Sequence, residues 1–423
     1  MLVYLISFAI GLFALSLAKA HADNEAVAYR RPNKGVMFVA FLVAFLALEI
    51  PAALRFDVGT DYMFRYVADY DNLILYGIEP QQEWIYIQFY HALVGSGVSF
   101  QWFFVVTSAL INGFVLFALS QDKHRQYPLA FAVFFLHCMY FNSLSNIRQC
   151  LSSGAGIAAF AILWNWDRKK KKTYMIPLIL LGLSALFHPT GLVYLPVFVF
   201  FLIPWDNKKM AVVLVLAAVL VIPAATLGVN LLKATKYAYF FSVKVDYGAG
   251  RIQLFFMIPE IVAALLALYQ IFIKKNPDRR LLIPLVFFVG AMVAYAGAKA
   301  VRSNELFLRL YHIVNWFYLL YLPMVLSCFE ASPYRSAKSK AVLAGSNHKI
   351  YYHDHRMYVA PASLSERKVV QRIRFLETSA LSMPTTASRV LTVGFVLIGL
   401  AMFYVQAIWT PLYGVFPYQT IFG

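Results

Sequence analysis

The chain of 423 residues is 61% hydrophobic and 17% aromatic, with only 13% charged residues and a mean hydropathy of +0.66. A soluble domain contains roughly 45–50% apolar residues, so this composition excludes an ordinary soluble protein and indicates an integral membrane protein. The 3 cysteines are odd in number and lack metal-ligand spacing, which argues against a disulfide framework and against a cysteine metal site.

Apolar runs follow one another along the chain. A helix that crosses a hydrocarbon layer of about 30 Å needs about 20 such residues, and about twelve runs approach this length. Because a lipid-facing segment must satisfy its own backbone hydrogen bonds, each run is predicted to be a helix. The first run is expected to be retained, since it lacks the positive charge with which a signal peptide begins. The runs lie at residues 1–18, 36–54, 99–119, 129–145, 150–166, 174–187, 191–204, 210–228, 254–273, 281–298, 310–328 and 389–410.

Lysine and arginine are concentrated in alternate loops between these runs. Loops rich in these residues face the cytoplasm, which predicts that both termini and the other loops lie on the opposite side. The predicted orientation and attraction to anionic lipid account for the net charge of +17, so no nucleic-acid partner is expected. The basic loops are 19–35, 120–128, 167–173, 205–209, 274–280 and 329–389.

The predicted organisation has three parts. Residues 1–328 form a transmembrane catalytic bundle of about eleven helices, 329–388 form a basic cytoplasmic loop, and 389–423 form a final transmembrane helix with a periplasmic tail. Within the loop, "LSERKVVQRIRFLE" repeats apolar residues at helical spacing opposite a basic face, which predicts a helix lying on the membrane surface. The chain lacks the repeated halves that are typical of many carriers.

The non-cytoplasmic face collects most of the remaining polar motifs. An unpaired arginine at membrane level costs on the order of several kcal/mol, and a guanidinium binds phosphate oxygens as a rigid fork. Several arginines on one face therefore indicate a diphosphate ligand. These arginines are Arg55, Arg148, Arg302 and Arg309. For Arg148 a salt bridge within the protein is also open, and the candidate carboxylates are Asp57, Asp61 and Glu83.

Three acids and one histidine on this face could transfer a proton. Residues 174–204 must cross the membrane twice, so each crossing is short, and His188 in "HPTG" is expected below the surface in a protein-lined cavity. His188 is a candidate for proton transfer or for contact with an anion, and alternatively for capping a helix. Thr60 is predicted to be the N-cap of the next helix, which places Asp61 in its first turn. There Asp61 either stabilises the helix end or acts as the general base. Glu83 is an equal candidate for the base.

Taken together, these motifs resemble those of the EpsG-type, Wzy-like bacterial polysaccharide polymerases. The resemblance covers residues 1 to about 330 in order and spacing, whereas the segment 330–388 does not belong to the pattern. It rests on R-x-D-x-G-T-D-Y at 55–62, E-W at 83–84, an asparagine (Asn142 or Asn146) ahead of Arg148 and Gln149, F-H-P-T-G-L-V-Y-L-P at 187–196, and Arg309 with Tyr311.

The resemblance implies an all-α polytopic protein of the bacterial inner membrane with a GT-C-like glycosyltransferase architecture. Its reaction would transfer a growing glycan from undecaprenyl diphosphate onto a lipid-linked repeat unit at the periplasmic face. The candidate catalytic residues remain Asp57, Asp61, Glu83 and His188, and the candidate diphosphate ligands remain Arg55, Arg148, Arg302 and Arg309. The implied supporting residues are Thr60, Tyr62, Asn146, Gln149 and Tyr311.

No cofactor is expected, because the lipid diphosphate is itself the activated donor. The spacing of Asp57 and Asp61 is not the D-x-D of metal-using sugar transferases, which favours a metal-independent reaction. The expected partners are the undecaprenyl-diphosphate-linked oligosaccharide and membrane lipids, with a chain-length regulator as a candidate protein partner. Two alternatives stay open: an O-antigen-type ligase or another lipid-linked glycosyltransferase, and a glycolipid flippase.

Overall fold

The computed structural model describes most of the chain. Two of the predicted site residues, Arg302 and Arg309, and the predicted surface helix at 364–376 lie outside the described residues. The described residues are 1–27, 31–80, 82–122, 125–164, 175–203, 206–233, 257–276, 278–301, 311–313, 315–330, 348–353, 356–361, 385–409 and 418–420.

Most of the described residues form α-helices. In chain order these are α1 (Leu2–Val27), α2 (Lys34–Ala53), α3 (Ala68–Tyr76), α4 (Trp84–Ser96), α5 (Gln101–Ser120), α6 (Tyr127–Leu136), α7 (Met139–Ser145), α8 (Ile147–Trp164), α9 (Met175–Phe187), α10 (Tyr194–Leu202), α11 (Asn207–Lys233), α12 (Ile258–Phe272), α13 (Ile283–Val301), α14 (Tyr318–Ser327) and α15 (Thr386–Phe403). Short helical turns of other pitch occur at Tyr62–Val67, Pro189–Val193, Arg279–Leu282 and Tyr404–Trp409.

The helices are those of a multi-pass membrane protein. Within the described residues, 6 helices are long and apolar enough to cross a membrane, or up to 7 if the bent pair α6 and α7 counts as one span. Further apolar helices of 10–17 residues are shorter than a span. The expected twelve crossings and the GT-C-like architecture are therefore not confirmed.

The backbone interrupts the apolar helices at two places, one inside a predicted run and one between two predicted runs. The run 129–145 bends by 53° between α6 and α7, where Cys138 adopts a left-handed conformation with φ of 56°. The second interruption follows α9, which ends at Phe187 ahead of Pro189. Helices α9 and α10 are both shorter than a membrane span, which agrees with the expectation that each crossing before and after "HPTG" is short.

Helix α8 lies at the centre of the bundle and packs against α5 and α9. Its sequence is rich in small residues, which allow neighbouring helices to approach closely, and nearly all of its residues are buried. The Ser152 and Ser184 hydroxyl oxygens lie 3.0 Å apart across the contact between α8 and α9. Helix α8 thereby fixes the position of Arg148 relative to the residues that follow α9.

The bundle has two chemically different ends. At the end that we call the basic end, Arg125 donates to Asp23 at 3.0 Å and Gln126 donates to Glu330 at 2.6 Å. These contacts join three of the loops that the sequence assigns to the cytoplasm. Helix α1 is about 39 Å long, so Tyr4 near its start lies at the opposite end, which carries the polar motifs and which we call the motif end.

A two-stranded antiparallel hairpin adds to the helices within the segment 329–388. Strand β1 (His348–His353) pairs with β2 (Arg356–Pro361), in a register that runs from His348 opposite Pro361 to His353 opposite Arg356. The all-α expectation did not include it, although the tyrosine, isoleucine and valine content of both strands favours β-structure.

Candidate active site

The motif loop 55–61 follows α2 and packs against the connection between α7 and α8. Gly59 has φ of 105°, and a Cβ at this position would collide with the carbonyl oxygen of Leu144. The Thr60 backbone N–H donates to the Ser145 hydroxyl at 3.2 Å. The close approach thus requires glycine and brings the loop beside the start of α8, which carries Arg148.

The predicted helix after this loop begins as a π-helix over Tyr62–Val67. Asp61 takes the position before it and makes no side-chain cap, so Thr60 is not the N-cap that the sequence suggested. Short π-helical turns are frequent at functional sites. Here the turn aims the Tyr66 hydroxyl at the start of α8, where it donates to the Ser145 carbonyl at 3.3 Å and accepts from the Ile147 N–H at 3.1 Å.

Tyr66 also connects Asp61 with Arg148. Burial raises the pKa of the Tyr66 phenol, the negative charge of Asp61 raises it further, and the positive charge of Arg148 lowers it. The phenol therefore stays protonated and serves as a hydrogen-bonding support. Asp61 lies close enough to act electrostatically on the same hydroxyl as Arg148.

Glu83, Arg148 and His188 meet at the motif end, and we call them the central triad. Arg148 Nη1 lies 2.5 Å from Glu83 Oε2, and His188 Nε2 lies 3.7 Å from Glu83 Oε1. The three side chains are only 12–17% exposed. The structure therefore brings together residues from three separate sequence motifs, and it realises the salt bridge that the sequence left open for Arg148.

The histidine of the central triad is oriented by the turn that follows α9. His188 Nδ1 lies 2.7 Å from Thr190 Oγ1 and accepts from the Thr190 backbone N–H at 3.3 Å. Since Nδ1 accepts, the neutral ring carries its proton on Nε2, the atom that faces Glu83. His188 thus caps the turn through one nitrogen, as one of the sequence alternatives expected, and presents the other nitrogen to the carboxylate.

Glu83 is held by the residue before it. Gln82 Nε2 donates to Asp69 Oδ2 and to the Tyr90 hydroxyl, the latter at 3.3 Å, which ties the segment before α4 to α3. Glu83 itself has extended backbone immediately before α4. Gln82, Asp69 and Thr190 were not predicted as site residues, although two of them adjoin the predicted Glu83 and His188 in "EPQQEW" and "FHPTG".

Arg55 is placed differently from Arg148. It is 1% exposed, and its guanidinium carbon lies 4.8 Å from the centre of the Phe104 ring. Burial lowers the pKa of Arg55, while the surrounding tyrosines act in the opposite direction. The Glu49 carboxylate interacts with it electrostatically, and among the described residues its Nε and Nη2 atoms have no hydrogen-bond partner. Arg55 therefore lies inside an aromatic cage, whose tyrosines are Tyr4, Tyr62, Tyr66 and Tyr140.

The other predicted residues surround these features. Asp57 is exposed and has a backbone φ of 48°. The Tyr62 ring stacks on the Phe104 ring, with their centres 4.4 Å apart. Asn146 Nδ2 donates to Asn142 Oδ1 at 2.6 Å in the connection before α8, and Gln149 is buried one residue after Arg148. The Tyr311 hydroxyl donates to the buried Glu260 at 3.2 Å.

The central triad combines a cation, a carboxylate and an imidazole in a partly enclosed site. This arrangement can hold an anionic group through Arg148 and can move a proton through Glu83 or His188. Within the described residues, no group of three or more His, Cys, Asp or Glu side chains could hold a metal ion.

The helices and the central triad define a multi-pass membrane protein with a polar site at one end of its bundle. The family model of the EpsG family matches residues 38–344, and the chain belongs to this family of polysaccharide polymerase-like membrane proteins. Comparison with curated proteins and with solved structures finds no match. The family match includes every residue of the central triad and confirms the resemblance seen in the sequence.

Proposed function

We propose that this protein polymerises a polysaccharide by transferring a growing glycan from undecaprenyl diphosphate to the non-reducing end of a lipid-linked repeat unit. The reaction takes place at the periplasmic face of the bacterial inner membrane. Membership of the EpsG family supports the general activity. The structural observation that carries the proposal is the position of the Glu83 carboxylate between Arg148 and His188.

Arg148 is the proposed ligand of the diphosphate. In the structure one of its nitrogens contacts Glu83, whereas a guanidinium has five N–H donors in a fixed plane. A diphosphate offers paired oxygens and more negative charge than a carboxylate, so it competes for the arginine. Binding of the donor thereby weakens the ion pair of Glu83 and frees this carboxylate to contact the acceptor hydroxyl.

Glu83 is the proposed general base, and Asp61 is the second candidate. The base accepts the proton of the acceptor hydroxyl as its oxygen attacks the anomeric carbon of the donor. The bond from this carbon to the diphosphate oxygen breaks, a glycosidic bond forms, and undecaprenyl diphosphate leaves as an anion stabilised by Arg148. His188 holds the Glu83 carboxylate in place through its Nε2–H, and Glu83 passes the proton to water after the leaving group departs.

The arginine cation takes the place that a metal ion holds in other sugar transferases, so the proposed step needs no metal. Arg302 and Arg309 are further candidate ligands of the diphosphate. A chain-length regulator is a candidate partner of the protein in the cell.

Reconstitution tests the proposal. The purified protein in proteoliposomes is supplied with undecaprenyl-diphosphate-linked repeat units from the producing bacterium, and the products are separated by size. A ladder of repeat units on lipid is the expected result. Transfer of glycan to a different acceptor lipid would indicate a ligase, and a change of sidedness without a new bond would indicate a flippase; either result would contradict the proposal.

A further inference from the structure

An apolar cleft lies between two helices at the basic end of the bundle. Helix α12 contributes Leu266 and Tyr269, the first two turns of α15 contribute Val390 and Leu391, and Phe329 lies between the helices. The cleft has a volume of about 560 Å³, which falls within the usual range for ligand sites of about 300–1,000 Å³. It is therefore large enough for a hydrocarbon chain.

A side-chain hydrogen bond and helix geometry place the cleft near the end of the membrane-crossing segments. The Thr385 hydroxyl, at the start of α15, donates to the Phe329 carbonyl at 2.7 Å. At a rise of 1.5 Å per residue, Val390 lies only about 6 Å along α15 from Thr386. The lining thus covers the outermost part of a span, where the headgroups and the first methylenes of membrane lipids are found.

One cation contacts this apolar lining, and a second adjoins a lining residue in the sequence. Lys274 Nζ lies 5.7 Å from the centre of the Tyr269 ring, whose side chain lines the cleft. Arg389 is exposed and directly precedes Val390 on α15. Lysine and arginine side chains extend along apolar surface and hold their charges at the membrane boundary. An occupant that suits both features has an apolar chain and an anionic head.

We propose that the cleft is a binding site for an anionic glycerophospholipid, with one acyl chain between α12 and α15 and the phosphate at Lys274 and Arg389. Basic pockets between helices are known binding sites for anionic lipid headgroups. The cleft lies at the opposite end of the bundle from the central triad, which sets this lipid apart from the proposed polymerisation substrate. The site does not depend on the proposed function.

Lipid binding to the purified, full-length protein tests the proposal. Native mass spectrometry measures the binding of dioleoyl phosphatidylglycerol and of dioleoyl phosphatidylcholine to the wild type and three variants. Removal of either cation, in Lys274→Ala or Arg389→Ala, is expected to weaken phosphatidylglycerol binding about fivefold. Val390→Trp fills the cleft and keeps both charges, so it is expected to weaken the binding of both lipids.

Lys208→Ala and Lys209→Ala are the matched controls, because they remove exposed cations at the start of α11 without changing the cleft. These controls are expected to bind phosphatidylglycerol as the wild type does. Equal binding of the two lipids by the wild type, or equal losses in the control and cleft variants, would overturn the proposal. Binding of neither lipid at the cleft, as expected if another part of the chain such as 364–376 occupied it, would also overturn the proposal.

Discussion

Arg148 and Arg125 form comparable ion pairs at opposite ends of the bundle. Arg148 contacts Glu83 at 2.5 Å with its side chain 12% exposed, and Arg125 contacts Asp23 at 3.0 Å with its side chain 11% exposed. If Arg148 served only the fold, replacement of either arginine should have the same kind of effect. Comparing replacements of the two arginines therefore distinguishes a structural role of Arg148 from a role in substrate binding.

Replacement of Arg148 by lysine is expected to lower polymer formation about tenfold or more, with little change in melting temperature. Lysine keeps the charge but meets two phosphate oxygens as a point charge instead of a fork, and a hydrogen bond to a charged group is worth about 1.5–3 kcal/mol. Arg125→Lys is the control and is expected to polymerise normally. Normal activity of Arg148→Lys would show that Arg148 holds the fold and not the substrate.

Glu83→Gln is expected to lower polymerisation about 10²–10⁴-fold, the usual contribution of a general base. Asp61→Asn is expected to have a smaller effect, because Asp61 acts on the Tyr66 hydroxyl whereas Glu83 directly contacts Arg148 and His188. Chain growth by the two purified variants, at equal amounts of folded protein, measures the difference. A larger loss in Asp61→Asn would assign the proton transfer to Asp61.

The sequence correctly grouped Glu83, Arg148 and His188 on one face, because loop charge patterns and helix length decide which end of a bundle a motif reaches. It could not distinguish Arg55 from Arg148, since both arginines adjoin an apolar helix. The difference arises from Tyr4, Tyr140 and Phe104, which belong to three other helices and surround Arg55 only in the folded bundle.

At the scale of elements, the conformation of the motif loop depends on Gly59. Gly77 also has positive φ but has no neighbour close to the position of a Cβ. Gly59→Ala is expected to destabilise the protein by about 2 kcal/mol or more, because it adds a collision with Leu144 to the cost of left-handed backbone. Gly77→Ala is the control: its φ is 64°, and a Cβ there meets nothing within 4 Å. Melting temperatures in one detergent give the comparison, and equal shifts would show that the loop does not require this close approach.

Helix existence was more predictable than helix continuity. The run 129–145 contains neither proline nor glycine, so its pattern gives no sign of the 53° bend, which coincides with the left-handed backbone of Cys138. The break at His188 was predictable, because Pro189 cannot continue a helix and the two crossings around it are short. The π-helix at Tyr62–Val67 has no sequence signal of this kind and replaces the expected α-helix start.

At the scale of the whole molecule, the distribution of charge and the packing of the chain ends agree. The loops that meet at the basic end, through Asp23 with Arg125 and Gln126 with Glu330, belong to the lysine- and arginine-rich set. Near the chain ends, the Tyr4 and Tyr418 rings lie 5.2 Å apart at the motif end. This arrangement does not depend on the number of crossings, for which the expectation of twelve is not confirmed.

Both chain ends are therefore expected on the non-cytoplasmic side, together with the central triad. The Tyr418 hydroxyl donates to the Pro51 carbonyl in α2 at 2.9 Å, and the Phe56 N–H in the motif loop donates to the Gln419 carbonyl at 3.0 Å. Residues 418 and 419 are therefore bound directly to the motif end. Alkaline phosphatase fused after Gly423 should be active, and green fluorescent protein at the same position should be dark. The same reporters inserted within 331–347 should give the reverse pattern and serve as the internal control. A fluorescent C-terminal fusion would place the motif end in the cytoplasm and remove the periplasmic site from the proposed reaction.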